Sequence, residues 1–302
     1  MDKLLSIPPA SRGLRCVAIG GGTGLSAVLR ALKRYVLAEP APAAEAAGAY
    51  ISDLAAVVTV ADDGGSSGRL RRDLRVLPPG DIRNCLVALS EDEALLSQLF
   101  QYRFARGRGL KGHSFGNLFL AALTRITGDF TAAVKVSSEV LAIRGRIFPA
   151  TTSNVTLEAE LADGSRLAGE SRIGRAPRRI ARLRLIPDDC RPLPETLEAL
   201  AAADIITVGP GSLFTSLLPN LLIRGVAEAI AASPAVKVFV CNLMTQPGET
   251  SGLSASDHIK AIYEHCGIRL FDYALLNSGA ISPRLSRRYR QKAAEPVAHD
   301  LE

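Results

Sequence analysis

The sequence contains no tryptophan, two methionines and four histidines, and aromatic residues make up 5% of its 302 positions. That scarcity removes the stacking platforms on which sequence-tolerant nucleic-acid binding depends. Cysteine is sparse and unpaired: Cys16, Cys85, Cys190, Cys241 and Cys266 are odd in number, scattered, and show no Cys-x-x-Cys spacing. A disulfide framework and a thiolate metal cage are both excluded, and a reducing compartment suits such thiols. His258 and His265 stand seven apart with no third ligand, so zinc lacks a binding set. No apolar run reaches the length of a membrane-spanning helix, and Met1-Asp2-Lys3, with Pro8 and Pro9 close behind, lacks the apolar core of a signal peptide. A cytoplasmic protein without a membrane span is expected. The final Leu301-Glu302 reads as an appended scar.

What is present is ample apolar material, 47% of the chain, enough for a sizeable core without staples. The net charge of +6 favours anionic partners, a phosphate-bearing small ligand as readily as nucleic acid. Arg172 to Arg184 and Arg284 to Lys292 are Arg-rich, but such runs are most often solvated faces. No nucleic-acid partner is expected.

Leu14 to Ile19 reads as a buried strand running into Gly20-Gly21-Gly22-Thr23-Gly24 and then a helical pattern from Leu25 to Arg34. An Ala, Pro and Glu excursion, Ala38 to Tyr50, precedes a second apolar run, Leu54 to Val60. That run ends in Asp62-Asp63-Gly64-Gly65-Ser66-Ser67-Gly68 and a short basic helix from Arg69. Helical periodicity dominates from Ile82 to Leu141, broken at Gly107 to Gly112 and at Gly128, with Pro149 ending the run. Asp163-Gly164 marks a hairpin between Asn154 to Leu161 and Arg166 to Glu170, and Arg178 to Ile186 alternates charged and apolar residues. Residues 150–190 are therefore predicted to form an antiparallel insertion. Alternation then resumes: helix Glu195 to Ala202, strand Ile205 to Val208, helix Leu213 to Leu222, strand Val236 to Val240, helix Ala255 to Cys266, strand Phe271 to Leu276. The pattern predicts an α/β fold with a mainly parallel sheet covered on both faces.

Glycines directly after a strand let backbone N–H groups approach an anion while the next helix start adds its positive dipole end. Gly20 to Gly24 has this form, and Gly22 to Ala27 fits G-x-G-x-x-A, without the Lys of a nucleotide-hydrolase loop. The alternative is a tight turn with no ligand. Gly209-Pro210-Gly211-Ser212 repeats the form, so two cradles suggest a diphosphate or a nucleotide-sugar. Asp62 and Asp63 are candidates for gripping a ribose, orienting a base or holding Mg²⁺ through water, or else Asp62 is a plain turn former. Gly112-His113-Ser114-Phe115-Gly116-Asn117 opens another helix with Ser114 as N-cap, and Asn242 heads a polar loop after a strand, either a sugar contact or an ordinary connection.

Taken together, Gly20 to Gly24, Asp62 to Gly68, Pro79-Gly80-Asp81-Ile82-Arg83-Asn84 and Gly209 to Ser216 resemble the YvcK-type gluconeogenesis factors, of the CofD (2-phospho-L-lactate transferase)-like superfamily. Gly112 to Asn117, Asn154-Val155 and Cys241 to Thr250 resemble that family as well. The resemblance implies one Rossmann-like domain over 1–302 and a cytoplasmic protein that binds UDP-sugars, notably UDP-N-acetylglucosamine, in support of cell-envelope synthesis and cell shape. It implies no established turnover; the transferase relatives use a GDP-linked donor with Mg²⁺, which is the one candidate cofactor. The ligand-binding set it marks is Gly20, Gly21, Gly22, Thr23, Gly24, Asp62, Asp63, Ser66, His113, Asn117, Asn154, Gly209, Gly211, Ser212, Thr215 and Asn242, with no catalytic residue. A regulated cell-wall precursor enzyme and self-association are the protein partners to expect.

Overall fold

The computed structural model describes residues 13–37, 50–91 and 93–301. The Ala38 to Tyr50 excursion, Tyr50 apart, lies outside the described residues, as does Glu302 of the terminal pair. The strands in chain order are β1 (Leu14–Gly20), β2 (Ile51–Val58), β3 (Arg146–Pro149), β4 (Thr156–Leu161), β5 (Arg166–Ala168), β6 (Ile180–Ile186), β7 (Ile205–Val208), β8 (Val236–Val240) and β9 (Tyr273–Leu275). Six of them make a sheet in the order β3-β2-β1-β7-β8-β9, and every neighbouring pair is parallel. Counted within that sheet the order is 3-2-1-4-5-6, the Rossmann arrangement, with helices packed on both faces. Its middle is closed to water on both faces: Ala18, Ile19, Leu54, Val57, Val58, Ile206 and Val208 are all buried. Such strands carry continuous apolar runs rather than alternation.

The insertion is a three-stranded antiparallel sheet, β5-β4-β6, lying between β3 and β7 in the chain. Its hairpin turns at Gly164, which takes φ +81°, while Asp163 Oδ1 accepts from the Ser165 backbone N–H at 3.0 Å. A short helix, Glu170–Ile173, separates β5 from β6 where strand was predicted up to Glu170.

Several boundaries differ from expectation. The helical run predicted to last to Leu141, with Pro149 as its stop, gives way to β3, an edge strand paired with β2 from Ala55↔Arg146 to Val58↔Pro149. Four residues leave too short an apolar pattern to read, and Pro149 is tolerated because edge strands can lack a donor. The Leu213 to Leu222 helix begins as a π-helix, Leu213–Leu217, before one α turn, Leu218–Leu221. A helix at Val226–Ala232 was not read, and the basic run near the end is a helix over Pro283–Arg290.

The Glu93–Gln101 and Phe115–Thr127 helices are locked together by an aromatic cluster. Phe100, at the end of the Glu93–Gln101 helix, is 2% exposed and meets Phe119 and Phe115 edge-on, with centroids 5.3 and 5.9 Å away. Phe100→Ala is expected to lower unfolding free energy by about 3–5 kcal/mol in denaturant titration.

Candidate functional site

In open parallel sheets a crevice forms where the strand order reverses, outside the carboxyl ends of the strands on either side. Here those strands are β1 and β7. The chain leaving β1 enters the Gly22–Lys33 helix through Gly21, and the chain leaving β7 enters Gly209 to Ser212. The two backbones touch: a Cβ on Gly24 would collide with the Pro210 carbonyl oxygen and come 3.2 Å from the Gly211 nitrogen. Both loops open onto a single cavity of about 820 Å³. Its wall includes Gly21 to Gly24, Asp62, Asp81, Glu170, Gly211, Ser212, Thr215, Asn242 to Pro247, Tyr289 and Lys292. The structure thus brings the two predicted cradles into one cleft.

They are not chemically equivalent. The Gly22–Lys33 helix begins with no side-chain cap and no acidic residue in its first turn, and Gly22 takes φ +62°. A Cβ on Gly21 would lie 2.6 Å from Thr59 Cγ2 and 2.7 Å from Asp81 Oδ2, so the loop must be bare for its neighbours to close in. Asp81 already accepts from the Gly22 N–H at this helix start, while the helix dipole still favours negative charge there. The start at Ser212 is already occupied by protein. Glu249, 4% exposed, accepts from the Phe214 N–H at 2.9 Å and from the Thr215 hydroxyl at 2.8 Å. Asn242 clamps Gly211, accepting from its N–H at 2.9 Å and donating to its carbonyl at 2.7 Å, and Ser212 Oγ donates to Gln246 Oε1 at 2.6 Å. Each predicted cradle thus meets a carboxylate from another part of the chain, Asp81 at Gly22 and the buried Glu249 at Phe214 and Thr215, the latter from thirty-odd positions on, where local sequence cannot connect it.

The acidic pair separates likewise. Asp62 lines the cavity, and its Oδ1 also accepts from the Gly64 N–H at 2.8 Å, so it is both turn former and wall. Asp63 faces the insertion, where its Oδ1 accepts from the Ser171 N–H at 2.9 Å. Two acids absent from the expected set line the cleft instead, Asp81 and Glu170. Burial and then Asp62 push the Asp81 carboxyl up to about 6, against a hydrogen bond from Gly22 and the charge of Arg83. Burial pushes Glu170 up to about 7, with Asp62, Asp63, Asp81 and Glu249 adding repulsion. The Pro79 to Asn84 motif was the available signal for Asp81; Glu170 had none, since only the tertiary docking of the insertion brings it there. Tyr289 and Lys292, from the run taken for a solvated face, also reach the cleft.

His113, Asn117 and Ser66 are all buried and lie outside the cavity wall. Ser66 Oγ is 2.9 Å from His113 Nδ1, and Asn117 Nδ2 donates to Ser67 Oγ at 3.3 Å. Arg83 donates to Ser114 Oγ at 2.7 Å and to Asn117 Oδ1 at 2.9 Å, and Ser114 is the N-cap of the Phe115–Thr127 helix as predicted. Gly64-Gly65-Ser66-Ser67-Gly68 fits the Gly-x-Ser-x-Gly pattern, which corrects the expectation that the chain has no such elbow, and the Ser–His contact adds to that likeness. Burial pushes the His113 pKa down, and neither side chain lines the cavity. Asn154 is exposed beside Val155, whose carbonyl accepts from Arg71, and it forms no part of the cavity wall.

Two measurements follow from these contacts. Glu249→Ala leaves the Phe214 N–H and the Thr215 hydroxyl buried without their acceptor, and is expected to cost about 2–4 kcal/mol of stability in chemical denaturation. Asp81 and Glu170 both bind protons more tightly folded than unfolded, since an unfolded carboxyl titrates near about 4. Their stabilisation is complete below that value and is lost as pH rises through about 6 and about 7. Melting of the ligand-free protein should therefore fall between pH 5 and pH 8, about half as steeply or less in Glu170→Gln; an unchanged slope would contradict the assignment.

With the geometry described, similarity to known proteins becomes informative. The profile of the family described as 2-phospho-L-lactate transferase CofD matches residues 16–302. A putative gluconeogenesis factor of Nostoc sp. is 52% identical over 303 residues, taking in all of this chain and 63% of that protein, so the chain spans less than two thirds of that relative. The gluconeogenesis factor of Bacillus subtilis is 50% identical over 283 residues, covering 94% of this chain and 84% of its own. A crystal structure of a Bacillus halodurans protein aligns with a TM-score of 0.88 at 50% identity, covering 96% of this chain and 88% of that one. A match that begins two residues into β1 and runs to the last residue, backed by half-identical relatives, establishes that this chain belongs to the CofD family.

Proposed function

We propose that this chain is a cytoplasmic nucleotide-sugar-binding regulator of the gluconeogenesis-factor kind, taking UDP-N-acetylglucosamine or a close relative and adjusting carbon flow into cell-envelope synthesis. The observation that carries this reading is the Gly22–Lys33 helix start, with no side-chain cap and no acidic residue in its own first turn, opening into a cleft of about 820 Å³ at the sheet's reversal point. A pyrophosphate seats there on backbone donors. Lys292 supplies a mobile positive charge, Tyr289 an aromatic face, and Asp62 and Glu170 acceptors for sugar hydroxyls. The names of the half-identical relatives support the same reading.

A second reading, a CofD-like transferase with a GDP-linked donor, is favoured by the acidic wall. Asp62, Asp81 and Glu170 are hard oxygen donors of the kind Mg²⁺ takes, and a divalent cation would offset both the burial that chiefly raises Asp81 and Glu170 and the repulsion that adds to it. When bound, such an ion would neutralise a diphosphate beside these carboxylates.

Calorimetry separates the two. Saturable heat with UDP-N-acetylglucosamine is expected, weakened about tenfold in Lys292→Ala as one charge-assisted contact is lost. No heat at millimolar ligand with folded protein rejects the regulator reading, and diphosphate-dependent transfer to a deazaflavin acceptor, lost in Asp62→Asn, would replace it.

A further inference from the structure

We propose that the face built from the Glu93–Gln101 helix and the hairpin after it is a docking surface for an anionic lipid bilayer. From residue 94 to residue 128 the chain has no aspartate or glutamate, while Arg103, Arg106, Arg108, Lys111 and Arg125 are basic. In a chain with 30 acidic residues against 36 basic ones, such a stretch concentrates positive charge on one segment. Large apolar side chains stand out of the same segment. Leu95 and Leu99, one turn apart on the helix, are 63% and 44% exposed, and Tyr102 and Leu110 are 56% and 43% exposed. Water solvates these groups poorly, and cations beside protruding leucine and tyrosine are the makings of an interfacial anchor.

The hairpin is a built element. Phe104 N–H donates to the His113 carbonyl at 3.0 Å and Gly112 N–H to the Phe104 carbonyl at 2.7 Å, with an antiparallel bridge between Arg103 and Ser114. Tyr102 packs edge-on against Phe104 with centroids 5.2 Å apart, and Arg69 donates to the Lys111 carbonyl at 2.9 Å. Above that base every residue from Ala105 to Leu110 is exposed, and Gly107 and Gly109 take positive φ.

Charge decides the occupant. A second copy across a two-fold axis would set Arg106, Arg108 and Lys111 against themselves. A folded acidic partner needs a shaped, rigid counterpart, which a glycine-bearing tip of long arginines does not offer. A bilayer asks for no shape: it presents negative charge at every lateral position and an apolar layer beneath it. These side chains line no part of the ligand cleft, so the surface is independent of the nucleotide site.

Co-sedimentation of the full chain with phosphatidylglycerol/phosphatidylcholine vesicles, against pure phosphatidylcholine, tests this. Capture by the anionic vesicles at low salt is expected, at least about a hundredfold weaker for the triple variant R106E/R108E/K111E. Its melting temperature and nucleotide-sugar affinity should match the parent. Leu99→Ser and Leu110→Ser together should weaken capture about tenfold. No capture, equal capture by zwitterionic vesicles, or an unaffected triple variant overturns the proposal. So does capture indifferent to the two leucines, which would make the face a general polyanion patch.

Discussion

Where the sheet reverses direction, the strand-to-helix turn after β1 and the loop after β7 meet backbone to backbone, with no room for a side chain between Gly24 and Pro210. That contact holds the two halves of the doubly wound sheet at a fixed spacing, and the cleft is the gap left above it. Asn220 reinforces it from below, its Nδ2 donating to the Gly20 carbonyl at 3.1 Å and to the Ser216 carbonyl at 2.7 Å, which ties the first loop to the π-helix. A wider spacing would separate the uncapped helix start from Ser212, Asn242 and the loop that follows it.

The electrostatics of the cleft run opposite to those of the whole molecule. The chain carries a net +6, yet three carboxyl groups line the cavity while the arginines nearest them are committed elsewhere. Arg71 donates to the Val155 carbonyl and Arg83 to Ser114 and Asn117, and burial pushes both guanidinium pKa values down. The cavity therefore sets a helix start, whose dipole favours negative charge, beside an acidic flank. Protonation of that flank, a divalent cation or Lys292 can each reconcile the two, and each leaves a different dependence on pH and on metal.

Most of the parallel sheet was legible because buried strands followed by glycine turns have a strong local signature: β7 and β8 and the Ala255–Cys266 helix fall on their predicted bounds. β3 was not, since four residues at a sheet edge carry no period. At the site, loops were easier to read than roles. Gly20 to Gly24 and Gly209 to Ser212 have the same local form, and the carboxylates that reach them, Asp81 at the first and Glu249 at the second, arrive from distant positions. Asp62 and Asp63 are adjacent in sequence but serve different layers, a division set by the side to which each carboxylate turns. Glu170 and Lys292 enter the cleft from segments whose own sequence suggests a hairpin and a solvated helix.

The clasp between Asp63 and Ser171 reaches further than its single hydrogen bond suggests. Gly169, at φ +98°, lies so close to Asp63 that a Cβ there would strike its carboxylate, which leaves the join no slack. Relatives could lengthen or trim the turn at Gly164 without disturbing the cleft. A residue gained or lost between Ala168 and Ser171 would instead shift Glu170 along the wall, so this short junction fixes where the insertion's carboxylate meets the cleft.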